Sequence, residues 1–473
     1  MRRRRESLGM GWRKGTNYDM IKREMRDMMV NDTIYAPATP SGGAIAVVRI
    51  SGPDAHEVLR RVFRGTAELK HAVMRHGGIY RSGVQVDDVM AVVFDEPRSY
   101  TGENMAEIYC HGGAVSLSGV LAAIAESGAR LAEPGEFTKR AFLNGKMDLS
   151  AAGAVMELIG AQSAAGARAA LRQLKGGLRE KIEAMQQLLT RALAIIEAGI
   201  EYPEEDLEAD IRRDALPLLE EAIRGIEEMA GTFASGRLLL HGVSVAIVGR
   251  PNVGKSSLFN MLVGRERAIV TAIPGTTRDT VDDCIVRDGV LLRFIDTAGM
   301  RSEADEVEKI GIERARSAAQ DADAVLMVVD RSAGITEEDR RIFEALGREA
   351  LVVLNKADLP AKTSAEEARQ AFGCDAVEAS ARTGQGREEI LARIHVPEVG
   401  DADDVVVTSE RHHAVLKAAA DSLKSAMDAF DTADLDCVTI DIKEAWDRLG
   451  EITGVTATEE IINSIFDTFC LGK

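Results

Sequence analysis

Val243-Ser244-Val245-Ala246-Ile247-Val248-Gly249-Arg250-Pro251-Asn252-Val253-Gly254-Lys255-Ser256-Ser257 is an apolar run that opens into a loop closing on Gly-Lys-Ser. The run reads as a buried strand, and the loop fits G-x-x-x-x-G-K-[ST]. Such a loop lets backbone N–H groups close around phosphate oxygens at a helix N-terminus, where the helix dipole favours anions. Lys255 is then placed to reach the β- and γ-phosphates, and the Ser256 hydroxyl to sit on Mg²⁺.

Working downstream, further apolar strand candidates are Leu291 to Ile295, Ala324 to Val329, Leu351 to Leu354 and Ala376 to Ala379, mostly separated by helical stretches. The alternation predicts a mostly parallel sheet covered on both faces, with its ligand at the carboxyl ends of the strands. Three more signals fall at such ends. Asp296-Thr297-Ala298-Gly299 places a carboxylate to hold Mg²⁺ through water and a Gly299 N–H to sense the γ-phosphate. Asn355-Lys356-Ala357-Asp358 supplies a carboxylate that can accept two hydrogens from guanine N1 and N2, which adenine cannot offer. Ser380-Ala381-Arg382 fits a loop behind the base. Between the first two motifs lies Gly275-Thr276-Thr277-Arg278-Asp279, with Thr277 as the magnesium-binding threonine. Each short motif is weak alone. Their order and their positions at strand ends make residues 242–397 an α/β P-loop GTPase domain. Met300 stands where Ras-like GTPases orient the attacking water with Gln, so hydrolysis needs another group.

Outside that domain the character changes. Residues 29–147 mix β-rich runs (Ala44 to Ile50, Met90 to Phe94, Ala106 to Cys110) with a helix over Leu117 to Ser127, an α+β domain. Residues 148–241 and 398–473 have helical spacing, and the economical reading is one all-α domain with the nucleotide domain inserted. Residues 1–28 carry a basic block from Arg2 to Arg26. The block reads as a disordered extension ahead of a start at Met29, with an RNA-touching arm as the alternative. The net charge of −18 gives no overall attraction for nucleic acid, and aromatics at 4% leave few stacking platforms. Five scattered cysteines without a Cys-x-x-Cys pair argue for a reducing, cytoplasmic setting. No apolar run approaches the roughly 20 residues of a membrane span.

From about Met29 to Lys473 the chain resembles the tRNA-modification GTPase family known as MnmE or TrmE. The resemblance rests on Thr39-Pro40-Ser41-Gly42-Gly43-Ala44-Ile45-Ala46-Val47-Val48-Arg49-Ile50-Ser51-Gly52, Ser99-Tyr100-Thr101-Gly102-Glu103, Cys110-His111-Gly112-Gly113, and Pro134-Gly135-Glu136-Phe137-Thr138. It extends to Arg140-Ala141-Phe142-Leu143-Asn144-Gly145-Lys146-Met147-Asp148-Leu149 and the terminal Cys470-Leu471-Gly472-Lys473. The resemblance implies a homodimer, formed through the N-terminal domain. This pairs with an FAD-carrying MnmG (GidA)-type protein in a heterotetramer acting on tRNA, without a membrane. The implied chemistry adds an aminomethyl or carboxymethylaminomethyl group to C5 of wobble uridine, the one-carbon unit coming from 5,10-methylene- or 5-formyltetrahydrofolate. Arg49, Glu107, Lys146 and Lys473 match the folate-contacting positions, and Cys470 is a candidate catalytic thiol beside them. Asn252, Thr271, Ile273 and Thr276 match potassium ligands, and Glu308 matches the residue that positions the hydrolytic water in place of Gln. GTP contacts are expected from Asn252, Val253, Gly254, Lys255, Ser256 and Ser257. They are also expected from Thr271, Ala272, Ile273, Pro274, Gly275, Thr276 and Thr277, and from Asp296 to Gly299, Asn355 to Asp358 and Ser380 to Arg382. The competing reading is a ribosome-assembly or regulatory switch GTPase without one-carbon chemistry. Such proteins usually append a basic RNA-binding module, whereas this chain appends acidic helices and Cys-Leu-Gly-Lys.

Overall fold

Alternation of apolar and polar residues between Ile34 and His111 builds a sheet with one buried face. Residues 32–201, 208–264, 284–296, 313, 316–396, 405–430 and 434–473 are described by the structure, a computed structural model. The basic extension, residues 1–28, lies outside them. By its internal contacts the chain divides into two units: Met1–Met156 with Arg172–Gly231 and Glu410–Lys473, and Glu157–Leu171 with Thr232–Ser409.

In the first unit, β1 (Ile34–Pro37), β2 (Ile45–Ser51), β3 (Phe63–Gly65), β4 (Arg75–Arg81), β5 (Val84–Phe94), β6 (Met105–His111) and β7 (Arg130–Leu131) form a seven-stranded sheet in the order β3-β4-β5-β6-β2-β1-β7. Helices α1 (Ala55–Val62) and α2 (Ala114–Glu126) seal one face: Leu59, Val120 and Ile124 pack with Val48, Ile50, Ala91 and Ile108. Side chains alternate along a strand, so Arg49 points to the other face, directly opposite Glu107 in the antiparallel β2–β6 ladder.

Helix α3 (Glu136–Leu143) lies beyond that face and carries the fully buried Arg140. Its guanidinium donates to the Glu136 carboxylate at 2.8 Å, to the Asp32 carboxylate at 2.6 Å and to Glu103 at 3.4 Å. Ser51 donates to the same Glu103 at 2.8 Å. Burial alone would raise the Glu136 carboxyl, but Arg130 and Arg140 hold it below the usual carboxylate range. This network ties α3, the start of β1 and the Ser99–Glu103 loop into one piece.

The helices α4 (Leu149–Gly160) and α5 (Ala164–Leu174) follow, then α6 (Gly177–Glu201) and α7 (Glu208–Gly231). The expected break at Gly176-Gly177 is present, with Gly176 at φ 90°. α6 and α7 pack with α13 (Glu410–Ala429) and α14 (Leu435–Thr453) as a bundle, and α15 (Glu459–Phe466) returns to α3 through Phe466 against Phe142.

The second unit begins its regular structure with α8 (Phe233–His241), followed by β8 (Val243–Val248), α9 (Lys255–Val263), β9 (Cys284–Arg287), β10 (Val290–Asp296) and β11 (Ala324–Asp330). After these come α10 (Glu337–Leu346), β12 (Leu351–Asn355), α11 (Ala365–Phe372), β13 (Ala376–Glu378) and α12 (Arg387–Arg393). The sheet order is β13-β12-β11-β8-β10-β9, parallel throughout except at β9. Val245 and Ile247 face one core while Ala246 and Val248 face the other, so both faces are covered as the apolar strands predict. β9 was not expected from the sequence. It is a four-residue edge strand turned back on β10 at Asp288-Gly289, whose φ values of 49° and 81° fit a tight Asp-Gly hairpin.

The second unit also takes more chain than residues 242–397. Ala165 and Leu239 join the core around β8, the Val407 N–H donates to the Thr232 hydroxyl at 2.9 Å, and the Thr408 hydroxyl donates to the Glu157 carboxylate at 2.9 Å. No helix among the described residues is long and apolar enough to cross a membrane.

Arg140→Ala will take the cation from the buried Glu103 and leave Glu136 to Arg130 alone, and should cost about 3–5 kcal/mol in urea unfolding. Because the folded-state Glu136 pKa is depressed, its contribution is present above the unfolded value of about 4.3 and lost as pH falls through the folded one. The variant should therefore lose stability less steeply than wild type on acidification below about pH 4.3.

Candidate functional site

The turn from β8 into α9 is shaped by what it excludes. Gly254 caps α9 at φ 97°, and a Cβ there would come within 2.3 Å of the Asn355 side-chain nitrogen. Around it four of the loop's carbonyls are bonded away. Lys255 Nζ donates to the Gly249 and Arg250 carbonyls at 2.7 Å each, Lys356 Nζ to the Asn252 carbonyl at 3.0 Å, and Asn355 Nδ2 to the Val253 carbonyl at 2.8 Å. With the oxygens held behind, the loop's N–H groups are left to face an anion. Asn252, Ser256 and Ser257 are exposed at the mouth, and Val253 is buried beneath it. Lys255, only partly exposed, needs to leave two neutral carbonyls to meet a phosphate, an exchange that charge favours.

At the base-binding end, Asn355 also accepts from the Ala381 N–H at 3.1 Å, and the Ala357 N–H donates to the Ala379 carbonyl at 2.9 Å. One carboxylate oxygen of Asp358 accepts from the buried Ser380 hydroxyl, the other from Arg382 Nε at 2.8 Å. Those hydrogen bonds hold Asp358 below the usual carboxylate range, so it stays an acceptor. The three predicted segments, 252–257, 355–358 and 380–382, therefore meet. Asp296 ends β10, its backbone paired with Ile247 on the neighbouring parallel strand. Thr271, Ala272, Ile273, Pro274, Gly275, Thr276, Thr277, Thr297, Ala298, Gly299, Met300 and Glu308 lie outside the described residues.

Two carboxylates were missed in the sequence. Asp330, at the end of β11, accepts from Lys356 Nζ at 2.6 Å and from the Ser332 hydroxyl at 2.6 Å. Burial would raise it, but these bonds carry it below its ordinary value. Asp339 is fully buried and accepts from Arg250 Nε at 2.8 Å. The strand end and the Thr336…Asp339 capping spacing were visible; their partners were not.

The first unit holds a second cluster. Arg49 donates to one Glu107 oxygen through Nε at 3.0 Å and Nη2 at 2.9 Å, and Tyr109 donates to the other at 2.9 Å. Arg49 lies over the Tyr100 ring at 5.0 Å and the Phe137 ring at 5.7 Å. With side-chain exposures of 14% and 11%, Arg49 and Glu107 are not solvated surface charges. The Lys473 amine has its pKa lowered by burial and by Arg49, against the pull of Glu107 and Cys470, which places the tail beside the pair. Gly472, at φ 90°, sits so close to β1 that a Cβ would reach within 2.1 Å of the Pro37 carbonyl. Lys146 donates to the Pro97 carbonyl at 2.9 Å, and its stem lies against Gly102, two residues from Tyr100.

Cations around one carboxylate and two tyrosines fit a ligand with an anionic tail and a flat, hydrogen-bonding ring. A carboxylate has about four lone-pair sites, so Glu107 keeps acceptor capacity beyond Arg49 and Tyr109. All five cysteines are free thiols. Cys110 is buried and pushed up to about 11, so it stays protonated, whereas Cys470 is partly exposed.

A phosphate-loop turn, the Asn355-Lys356-Ala357-Asp358 strand end and a doubly covered sheet define a P-loop GTPase. Residues 33–146 match the family described as GTP-binding protein TrmE N-terminus, and residues 149–470 match the MnmE helical domain. The tRNA modification GTPase MnmE of Moorella thermoacetica is 43% identical over 465 residues, covering 94% of this chain and 100% of that one. That of Aquifex aeolicus is 41% identical, with 94% and 100% covered. Among solved structures, the G domain of the T. maritima FeoB iron transporter aligns at 30% identity and a TM-score of 0.24, over 32% of this chain and 94% of that one. The chain belongs to the MnmE family of tRNA modification GTPases.

Asp358→Asn replaces an acceptor of two guanine hydrogens with a group that presents one oxygen and a donor. GTP affinity should fall by about 100-fold or more, and xanthosine triphosphate, whose C2 oxygen suits the new donor, should bind better than to wild type. Competition against a fluorescent guanine nucleotide measures both.

Proposed function

We propose that this protein is a GTP-hydrolysing tRNA-modification enzyme. Together with an FAD-carrying MnmG-type partner it adds an aminomethyl or carboxymethylaminomethyl group to C5 of wobble uridine. The observation that carries the reading is full-length similarity to tRNA modification GTPases, combined with a charged cluster that has no part in GTP binding. Arg49, Lys146 and Lys473 would hold the glutamate tail of a tetrahydrofolate and Glu107 its pterin edge. That cofactor, as 5,10-methylene- or 5-formyltetrahydrofolate, supplies the one-carbon unit. Dimerisation through the sheet domain, a heterotetramer with the partner, and action on tRNA in the cytoplasm belong to the same proposal.

At the nucleotide site Ser256 and Thr277 would hold Mg²⁺. Asn252, Thr271, Ile273 and Thr276 would hold K⁺, which supplies positive charge at the phosphates in place of an arginine finger. Supporting this reading, Asn252 is exposed with φ 63°, a left-handed backbone that keeps it out of the helix. Glu308 would position the attacking water.

Turnover should therefore be faster in KCl than in NaCl of equal ionic strength, by about 10-fold or more. Asn252→Ala should remove most of the difference, and equal rates in both salts would refute potassium's role.

Cys470→Ser tests the carbon chemistry separately. Expressed in a strain lacking the native gene, it should keep GTP turnover while wobble-uridine modification, read by nucleoside analysis, drops sharply. Normal wobble nucleosides in the deletion strain itself would instead favour a switch GTPase of ribosome assembly.

A further inference from the structure

Asp339 is a fully buried carboxylate on α10, and two of its contacts are explained by its own helix. Its Oδ2 accepts from the Thr336 N–H at 2.9 Å and the Thr336 hydroxyl at 2.7 Å, which completes a capping box. Capping does not call for the other oxygen. Oδ1 takes Arg250 Nε at 2.8 Å, from a residue 89 positions away in the middle of the phosphate loop. A charge buried so deeply persists only where it is paired and hydrogen-bonded, and Arg250 is its ion-pair partner.

Arg250 joins that anchor to the chemistry through its backbone, because its carbonyl is one of the two that receive Lys255 Nζ, at 2.7 Å. When Lys255 moves to the phosphates, the Gly249 and Arg250 carbonyls lose their donor. The guanidinium–Asp339 contact does not involve the lysine and remains. At the other end of the same connection, Asp330 holds Lys356, which donates to the Asn252 carbonyl at 3.0 Å. The segment from Asp330 to Asp339 thus grips the phosphate loop at both Arg250 and Asn252.

We infer that Asp339 and Arg250 are a positioning pair that keeps the phosphate loop in its anion-binding shape once Lys255 has turned to the nucleotide. The pair acts through the backbone of the loop, so its effect falls on nucleotide retention more than on the chemical step. The inference rests on the loop binding GTP, which GDP binding by the wild-type protein in the same assay establishes independently.

The test uses the full-length protein, a fluorescent GDP analogue chased with unlabelled GDP, and steady-state GTP hydrolysis. Arg250→Ala should release GDP about 10-fold faster and raise the KM for GTP by a similar factor, with kcat changed less than about 3-fold. Arg250→Lys keeps the charge but loses the guanidinium fork and should fall between alanine and wild type. If Asp339→Ala folds, the double variant should be no worse than either single one, the signature of a coupled pair. Should Asp339→Ala fail to fold, the Arg250 series decides alone, because Arg250 stands in the loop between β8 and α9 and leaves the Asp339 capping box intact. Wild-type GDP release in Arg250→Ala with only a lowered melting temperature would overturn the inference, as would additive losses in the double variant.

Discussion

Asn355 uses one amide to hold two backbones: its nitrogen takes the Val253 carbonyl and its oxygen the Ala381 N–H. The side chain is 2% exposed, and an amide buried that deeply must have both ends met. It fixes the distance between the loop that cradles phosphate and the loop behind the base. The neighbouring Lys356 extends the same seam to Asn252. Both Asn252 and Lys356 adopt positive φ, at 63° and 65°. Left-handed backbone in two non-glycine residues facing each other costs about 1–3 kcal/mol apiece and persists where surrounding bonds over-determine it. Those bonds are the carbonyl contacts of the phosphate loop, so the strain and the anion site have one origin.

The sheet domain solves a different problem, that of keeping opposite charges largely out of water. Arg49 and Glu107 are direct cross-strand neighbours, and aromatic rings cover the guanidinium on its faces. Behind them the Arg140 network fixes Glu103, and with it the loop bearing Tyr100, while the Tyr100 hydroxyl is paired with Thr138 of α3 at 2.8 Å. A rigid hydrogen-bonded frame therefore stands behind a pair that keeps spare acceptor capacity. That is the arrangement expected of a site held open for a polar ligand, in contrast to an ion pair whose groups are all used up.

The parts legible in the sequence are those whose chemistry is local. Gly254, Lys255 and Ser256 are dictated by a phosphate at fixed spacing along one turn, and the strands β8, β11 and β12 are apolar on both sides because both faces are covered. β9 escaped because four residues, Cys284–Arg287, are too few to show an alternation, and Val286 is exposed. Asp339 and Asp330 escaped for a different reason: an acid in a helix cap or at a strand end looks the same whether or not an arginine from 89 residues earlier folds onto it. The Arg49–Glu107 contact, 58 residues apart, depends on strand register, and a slip of one residue would send either side chain to the opposite face.

The C-terminal tail shows how packing and chemistry can be divided among adjacent residues. Phe469 is 5% exposed and stacks on Phe466 at 5.3 Å, within the cluster that includes Phe142 and Leu149. It supplies the apolar anchoring that a small thiol would otherwise have to provide. The Cys470 carbonyl accepts from the Gly135 N–H at 3.4 Å, and Gly472 permits the close pass against β1. Backbone and phenyl ring thus fix the tail's course, and the Cys470 thiol is left partly exposed. Lys473, the next charge along, is the one whose ionisation feels Arg49 and Glu107. The left-handed Gly472 turns the chain against the Pro37 carbonyl, and that bend carries the Lys473 amine to the Arg49–Glu107 pair.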